Sequence, residues 1–173
     1  MRSTADTAGA APDAPAYSRP YEDVTVGEVI PPLVRGPLSP MHLMRWSAAT
    51  ENWHRIHYDW RFATEHDGLP DVLVNGSLKQ HFLIQLMRGW LGYDGWLWWL
   101  SYRFASMDRA WDTLTVTGTV TDKREYEGFG VVRCELAVTN SRGEVSTTGA
   151  ARGALPYRDG PAVPYPFPEG LTW

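Results

Sequence analysis

Between Gly76 and Trp90 the large apolar residues Leu78, Phe82, Leu83, Leu86, Met87 and Trp90 recur at intervals of three and four, while His81, Gln85 and Arg88 form a narrow polar stripe. That period predicts a long helix, starting near Gly76 and Ser77 and buried on most of its circumference. A shorter helix is predicted to about Thr50: Ser39 and Pro40 make an N-cap and first-turn pair, and Met41, Leu43, Met44 and Trp46 follow with few breakers. Beyond Gly95 the period changes to two. Trp96, Trp98, Leu100, Tyr102 and Phe104 alternate, which predicts a strand with Trp96 and Trp98 on one face and Trp99 on the other. Leu114 to Val120, Val131 to Thr139 and Val145 to Leu155 add three strands, the last two joined by the turn signal Asn140-Ser141-Arg142-Gly143. Val29 to Arg35 reads as an earlier strand, and Val72 to Val74 as a short apolar strand that runs into the long helix.

Helices followed by consecutive hairpin-connected strands imply an α+β fold, with an antiparallel β-sheet wrapped around a long central helix, an order that suits a hot-dog architecture. The first twenty residues hold six Ala and three Pro and almost no large apolar side chain, so 1–20 reads as a flexible arm. Residues 21–156 form one uninterrupted domain, and 157–173 a tail rich in proline and aromatics. The chain has 173 residues, 43% of them hydrophobic, with no apolar run near the roughly 18 residues a membrane crossing needs. A net charge of −4 offers no general attraction to nucleic acid or anionic lipid, which directs attention to a small-molecule substrate or a protein partner. The single Cys134 permits no internal disulfide and no cysteine-based zinc site, a usage suited to a reducing, cytoplasmic location, and the N-terminus lacks the pattern of a signal peptide.

Reactive side chains concentrate in Asn52-Trp53-His54-Arg55-Ile56-His57-Tyr58-Asp59, directly after the first helix. His54, His57 and Asp59 could ligate a metal, yet no second His-rich element completes such a site, and His54 could equally pair with Asp59 in a turn. The second candidate is Val72-Leu73-Val74-Asn75-Gly76-Ser77. Free N–H groups at the start of the long helix, Gly76 foremost, could stabilise a developing oxyanion, although a glycine at a strand-to-helix turn is also an ordinary structural device.

These segments together resemble the MaoC-like (R)-specific enoyl-thioester hydratases and 3-hydroxyacyl-thioester dehydratases. The family pattern D-x-N-P-I-H-x-D is similar to Asn52 through Asp59, its apolar-apolar-H-G segment to Leu73-Val74-Asn75-Gly76, and its R-F followed by G-D-x-L to Arg103-Phe104 and Asp112-Thr113-Leu114. The likeness covers roughly Tyr21 to Pro156. Asn52 stands where the family usually has an aspartate, Asn75 where it has a histidine, and Trp111 where it has a glycine. The variant motif is similar to that of mesaconyl-CoA hydratases, and Asn75 and Trp111 to small MaoC subunits that work as heteromers.

The resemblance implies a hot-dog hydro-lyase that needs no cofactor or metal and acts on an acyl-CoA or acyl-carrier-protein thioester. It gives His57 the proton transfer, Asn52 the orientation of water and Gly76 the oxyanion, with Asn75, Ser77 and Arg103 near the substrate. Arg55 is expected to anchor the loop through Asp59. Lys79, Arg88, Arg103 and Arg109 are the basic residues available to a carrier's phosphate. A homodimer is expected, and a hetero-oligomer with a second MaoC-like chain is the variant. Two other readings stand beside the lyase: a silent subunit that completes a partner's acyl tunnel, motivated by the missing aspartate, and a thioesterase, which would need a carboxylate where Asn52 stands. The tryptophan-rich strand is assigned to core or interface more than to an acyl lining.

Overall fold

A computed structural model describes residues 19–169. The elements run β1 (Val29–Arg35), α1 (Pro40–Ala49), α2 (Gly76–Leu91), β2 (Trp96–Phe104), β3 (Leu114–Tyr126), β4 (Phe129–Thr139) and β5 (Val145–Pro156). All five strands join one antiparallel sheet in the order β1-β3-β4-β5-β2. The sheet curls around α2, which buries Leu83, Met87 and Leu91 completely against Val116, Cys134 and Leu155. Room for this contact comes from missing side chains: a Cβ on Gly153 would lie 2.5 Å from Leu91 Cδ2. Burial pushes the Cys134 thiol up to about 12, leaving it an inert packing group.

Two expectations about the strands need correction. Only β3-β4 and β4-β5 are hairpins; β2 pairs with β5, so the chain crosses from β2 at one edge to β3 beside the other. The crossover is held by backbone bonds from Val74 N–H to Asp108 C=O, Ala110 N–H to Val72 C=O and Trp111 N–H to Leu38 C=O. Residues 72–74 accordingly form a single bridge, Leu73 with Arg109, and no extended strand. The second correction concerns the tryptophans. Pairing of β2 with β5 slips between Leu97 and Trp99, which leaves Trp98 as an extra residue. Trp96, Trp98 and Trp99 therefore all lie on the outer face, away from α2, whereas Leu97, Leu100 and Tyr102 pack into the core.

The tail covers part of that outer face. Val163 and Phe167 pack with Phe129, Val131, Ala154 and Trp98, and Tyr165 stacks on Trp96 at 5.2 Å. The expected N-terminal arm falls outside the described residues except for Arg19 and Pro20. Arg19 is anchored, donating to both Glu28 carboxylate oxygens at 2.7 Å with its guanidinium 4.9 Å from the Trp90 ring. No described helix is long and apolar enough to cross a membrane.

Candidate active site

His57 is held by one residue on both sides of its peptide. Leu73 N–H donates to Ile56 C=O at 2.9 Å, and Leu73 C=O accepts from His57 Nδ1 at 2.9 Å. A carbonyl can only accept, so Nδ1 carries the hydrogen and Nε2 keeps its lone pair. The residue is 9% exposed. Burial lowers its pKa below the ordinary 6.5, the bond to Leu73 opposes that shift, and neighbouring His54 adds to it. His57 is thus a neutral base at pH 7, with its tautomer fixed by the backbone.

The loop around it is braced by an ion pair and a backbone N–H. Asp59 accepts from Arg55 at 2.6 and 3.0 Å and from Phe62 N–H at 3.0 Å. The Phe62 N–H first, and then Arg55, hold its carboxyl below the usual range. Arg55 therefore anchors the loop as its spacing suggests, and Asp59 is not available to pair with His54. The His54 ring instead lies 6.2 Å from that of His57.

Asn52 enters this arrangement through the end of α1. Its N–H donates to Ser47 C=O at 2.9 Å, while its Oδ1 accepts weakly from His54 N–H at 3.3 Å. The Ser47 hydroxyl, fully buried, accepts from Asn75 Nδ2 at 3.0 Å. Asn75 is the N-cap residue of α2, but this bond to Ser47 takes its side chain away from the helix, and it caps no N–H. The amides of Gly76 and Ser77 are therefore left to an outside acceptor at the positive end of a helix of 16 residues. Asn75 Oδ1, completely buried, has no partner of its own. Gly76 lets the Phe104 ring approach closely: a Cβ there would stand 2.8 Å from the ring, which would have to move aside.

His57, Asn52, Asn75, Gly76 and Ser77 are therefore linked through α1 and residues 73–77, but Arg103 is not. It lies on the outer face of the sheet, lining a hollow of about 710 Å³ with Trp99, Arg133 and Glu135, while its neighbour Phe104 points to Gly76. The alternation of a strand allows only one of the two to reach the helix side. Lys79 is likewise not available to a phosphate: it is 3% exposed and its Nζ is 2.9 Å from Asp108 Oδ2. Ser47, Trp46 and Phe104 are the site residues that sequence reasoning left unassigned. Only a small polar residue at a helix end gave any signal, for Ser47.

Comparisons with known proteins bear on the family and the fold. The family model for hydroxyacyl-thioester dehydratase type 2 matches residues 22–108, half of the chain. A mesaconyl-C(4)-CoA hydratase of Chloroflexus aurantiacus is 36% identical over 74 residues, which are 43% of this chain and 24% of that protein. The chain thus aligns with about a quarter of the length of the curated relative it matches. Among solved structures, an (R)-hydratase of A. caviae involved in PHA biosynthesis superposes with a TM-score of 0.69 at 21% identity, covering 78% of this chain and 99% of that one. The ChsH1–ChsH2 complex of Mycobacterium tuberculosis gives a TM-score of 0.66 at 22% identity, covering 76% and 98%. Both superpositions establish the hot-dog fold.

Proposed function

The chain belongs to the hydroxyacyl-thioester dehydratase type 2 family, within the MaoC-like group, and from that membership we propose that it adds water to an enoyl thioester, or removes it from a 3-hydroxyacyl thioester, with His57 as the acid/base. The observation that carries this reading is the fixed Nδ1–H tautomer of His57, beside a helix start whose first amides are uncapped. In hydration, a water oxygen bonds to the β carbon while His57 Nε2 takes the water's proton. The π electrons move toward the thioester oxygen, where the Gly76 N–H stabilises the enolate. The imidazolium then returns the proton to the α carbon, and the histidine is neutral again. Asn52 cannot take up a proton at neutral pH, so its part is to orient the water. The mesaconyl-C(4)-CoA hydratase likeness favours a coenzyme A thioester as the carrier form.

The chain works as a dimer, and the two sheet edges differ in a way that supports this. β1 is blunted by Pro31 and Pro32, where its pairing with β3 slips, whereas β2 is nine residues long and contains no proline. Beyond the bulge at Trp98, that edge offers a row of N–H and C=O groups from Trp99 to Phe104 to a second copy or to a related chain. A free, buried Cys134 suits a cytoplasmic site of action.

The test is turnover of a short enoyl-CoA by the purified chain alone, followed as loss of enoyl absorbance, with the oligomeric state measured by light scattering. Turnover by a dimer is expected. Turnover only after a second MaoC-like chain is added would replace this reading with that of a silent subunit, which the amide at Asn52 favours. Thioester cleavage without hydration would replace it with a thioesterase.

A further inference from the structure

The last turn of α1 makes two side-chain bonds to the residues on either side of Gly76. Ser47 Oγ accepts from Asn75 Nδ2 at 3.0 Å, and Trp46 Nε1 donates to Ser77 Oγ at 2.8 Å. The same turn holds the Asn52 backbone through Ser47 C=O. Two consecutive residues thus tie the proposed oxyanion donor and the proposed water-holding loop to one rigid piece of helix.

The chemistry of the Trp46 bond goes further. An indole N–H can only donate, so the Ser77 hydroxyl must be the acceptor, and its single O–H proton is left to point elsewhere. Ser77 is exposed and sits at the second position of α2, beside the uncapped amides. The indole is itself restrained: it packs against the core and lies 5.1 Å from the His81 ring. His81 in turn meets Gln85 at 3.2 Å, and Gln85 accepts from Arg35 Nε at 3.3 Å. A serine at a helix start would normally rotate freely or turn back on its own backbone. Here a donor from another helix fixes its lone pair.

Resting on the hydratase reading, we infer that the Ser77 O–H is a second donor to the substrate's thioester oxygen and that Trp46 is the positioning residue that aims it, with Ser47 as the matching restraint on Asn75. Such an arrangement places two donors, the Gly76 N–H and the Ser77 O–H, where negative charge develops.

Trp46→Phe keeps a ring against His81 and deletes the N–H. It should lower kcat by about 10- to 100-fold, the scale of a misplaced donor, with a smaller change in KM. Ser77→Ala should cost about 10²-fold, and Ser77→Thr, which restores a hydroxyl, should recover most of that. In the Ser77→Ala background Trp46→Phe should cost nothing further, and the acidic limb of the rate profile, set by His57, should stay in place in every variant. The second readout needs no turnover: the isotope-edited infrared carbonyl stretch of bound butyryl-CoA, a saturated thioester. It should lie at lower frequency in the wild type and move up by a similar amount in Trp46→Phe and Ser77→Ala. Turnover with a carbonyl band insensitive to both variants, or penalties that multiply in the double variant, would overturn the inference and leave the hydratase reading intact. A sensitive band in a protein that hydrates no enoyl-CoA would sink the hydratase reading and leave the donor pair standing.

Discussion

The two ends of α2 are built from opposite materials. At its start, buried polar groups meet one another: Asn75 with Ser47, Lys79 with Asp108, and His57 with the Leu73 carbonyl. Near its end, Leu91 is packed where Gly95 and Gly153 have no side chains to occupy the space. Burying polar groups stabilises little, because each protein–protein hydrogen bond replaces one to water, whereas each apolar side chain removed from water stabilises by about 1.5–3 kcal/mol. The contrast teaches that apolar packing secures one end of the helix, while paired polar groups, whose net contribution to stability is small, occupy the other.

Substitutions at the two ends should separate the functions. His57→Gln keeps an amide that can donate to Leu73 C=O but cannot transfer protons. Its rate should fall by about 10²–10⁴, with a thermal midpoint close to wild type. Leu91→Ala should do the reverse, costing about 2–5 kcal/mol of stability, read as a lower denaturant midpoint, while the folded fraction keeps its rate. If either variant lost both properties together, the division between the ends would collapse.

A smaller effect sharpens the same comparison through pH. The folded pKa of His57 lies below its unfolded value, so His57 is neutral and competent above 6.5 and the acidic limb of kcat/KM should lie below that pH. The linkage has the same sign. As pH falls below 6.5 the unfolded chain takes up this proton first, so stability contributed by the neutral ring is complete above 6.5 and is lost as pH drops toward the folded value. Asn52→Asp adds a carboxylate to the loop and should move the kinetic limb upward without abolishing activity. A limb that stays put would show that Asn52 does not face the imidazole.

Elements with a strong local period were legible in the sequence. The apolar spacing from Leu78 to Trp90 marks a helix observed at Gly76–Leu91, and the alternation after Leu114 marks strands that the structure only lengthens. Strand order was not legible, because the pairing of β2 with β5 depends on where the 105–113 crossover is tied down, which no local pattern encodes. In the site, His57 and Gly76 stood out through residue type and position. The Trp46–Ser77 and Ser47–Asn75 bonds did not, since they join residues 31 and 28 positions apart and only the packing of α1 on α2 brings them together. Arg103 was assigned through the R-F resemblance, although alternation turns Phe104 and not Arg103 toward Gly76, whereas the irregularity upstream at Trp98 was announced by no local pattern.

That irregularity makes β2 behave like a text whose reading frame changes partway along. Before the extra residue, even-numbered side chains belong to the tail, as Trp96 and Trp98 do; after it, even-numbered side chains belong to the helix, as Leu100, Tyr102 and Phe104 do. Restoring a single frame by pairing Trp98 itself with Arg152, while keeping the Trp96 pairing, would exchange every later side chain between the faces. An arginine would then stand over Gly76 and a phenylalanine would face solvent. The bulge at Trp98, six positions before Phe104 and engaged with the tail, therefore decides whether a cation or an aromatic ring stands over Gly76.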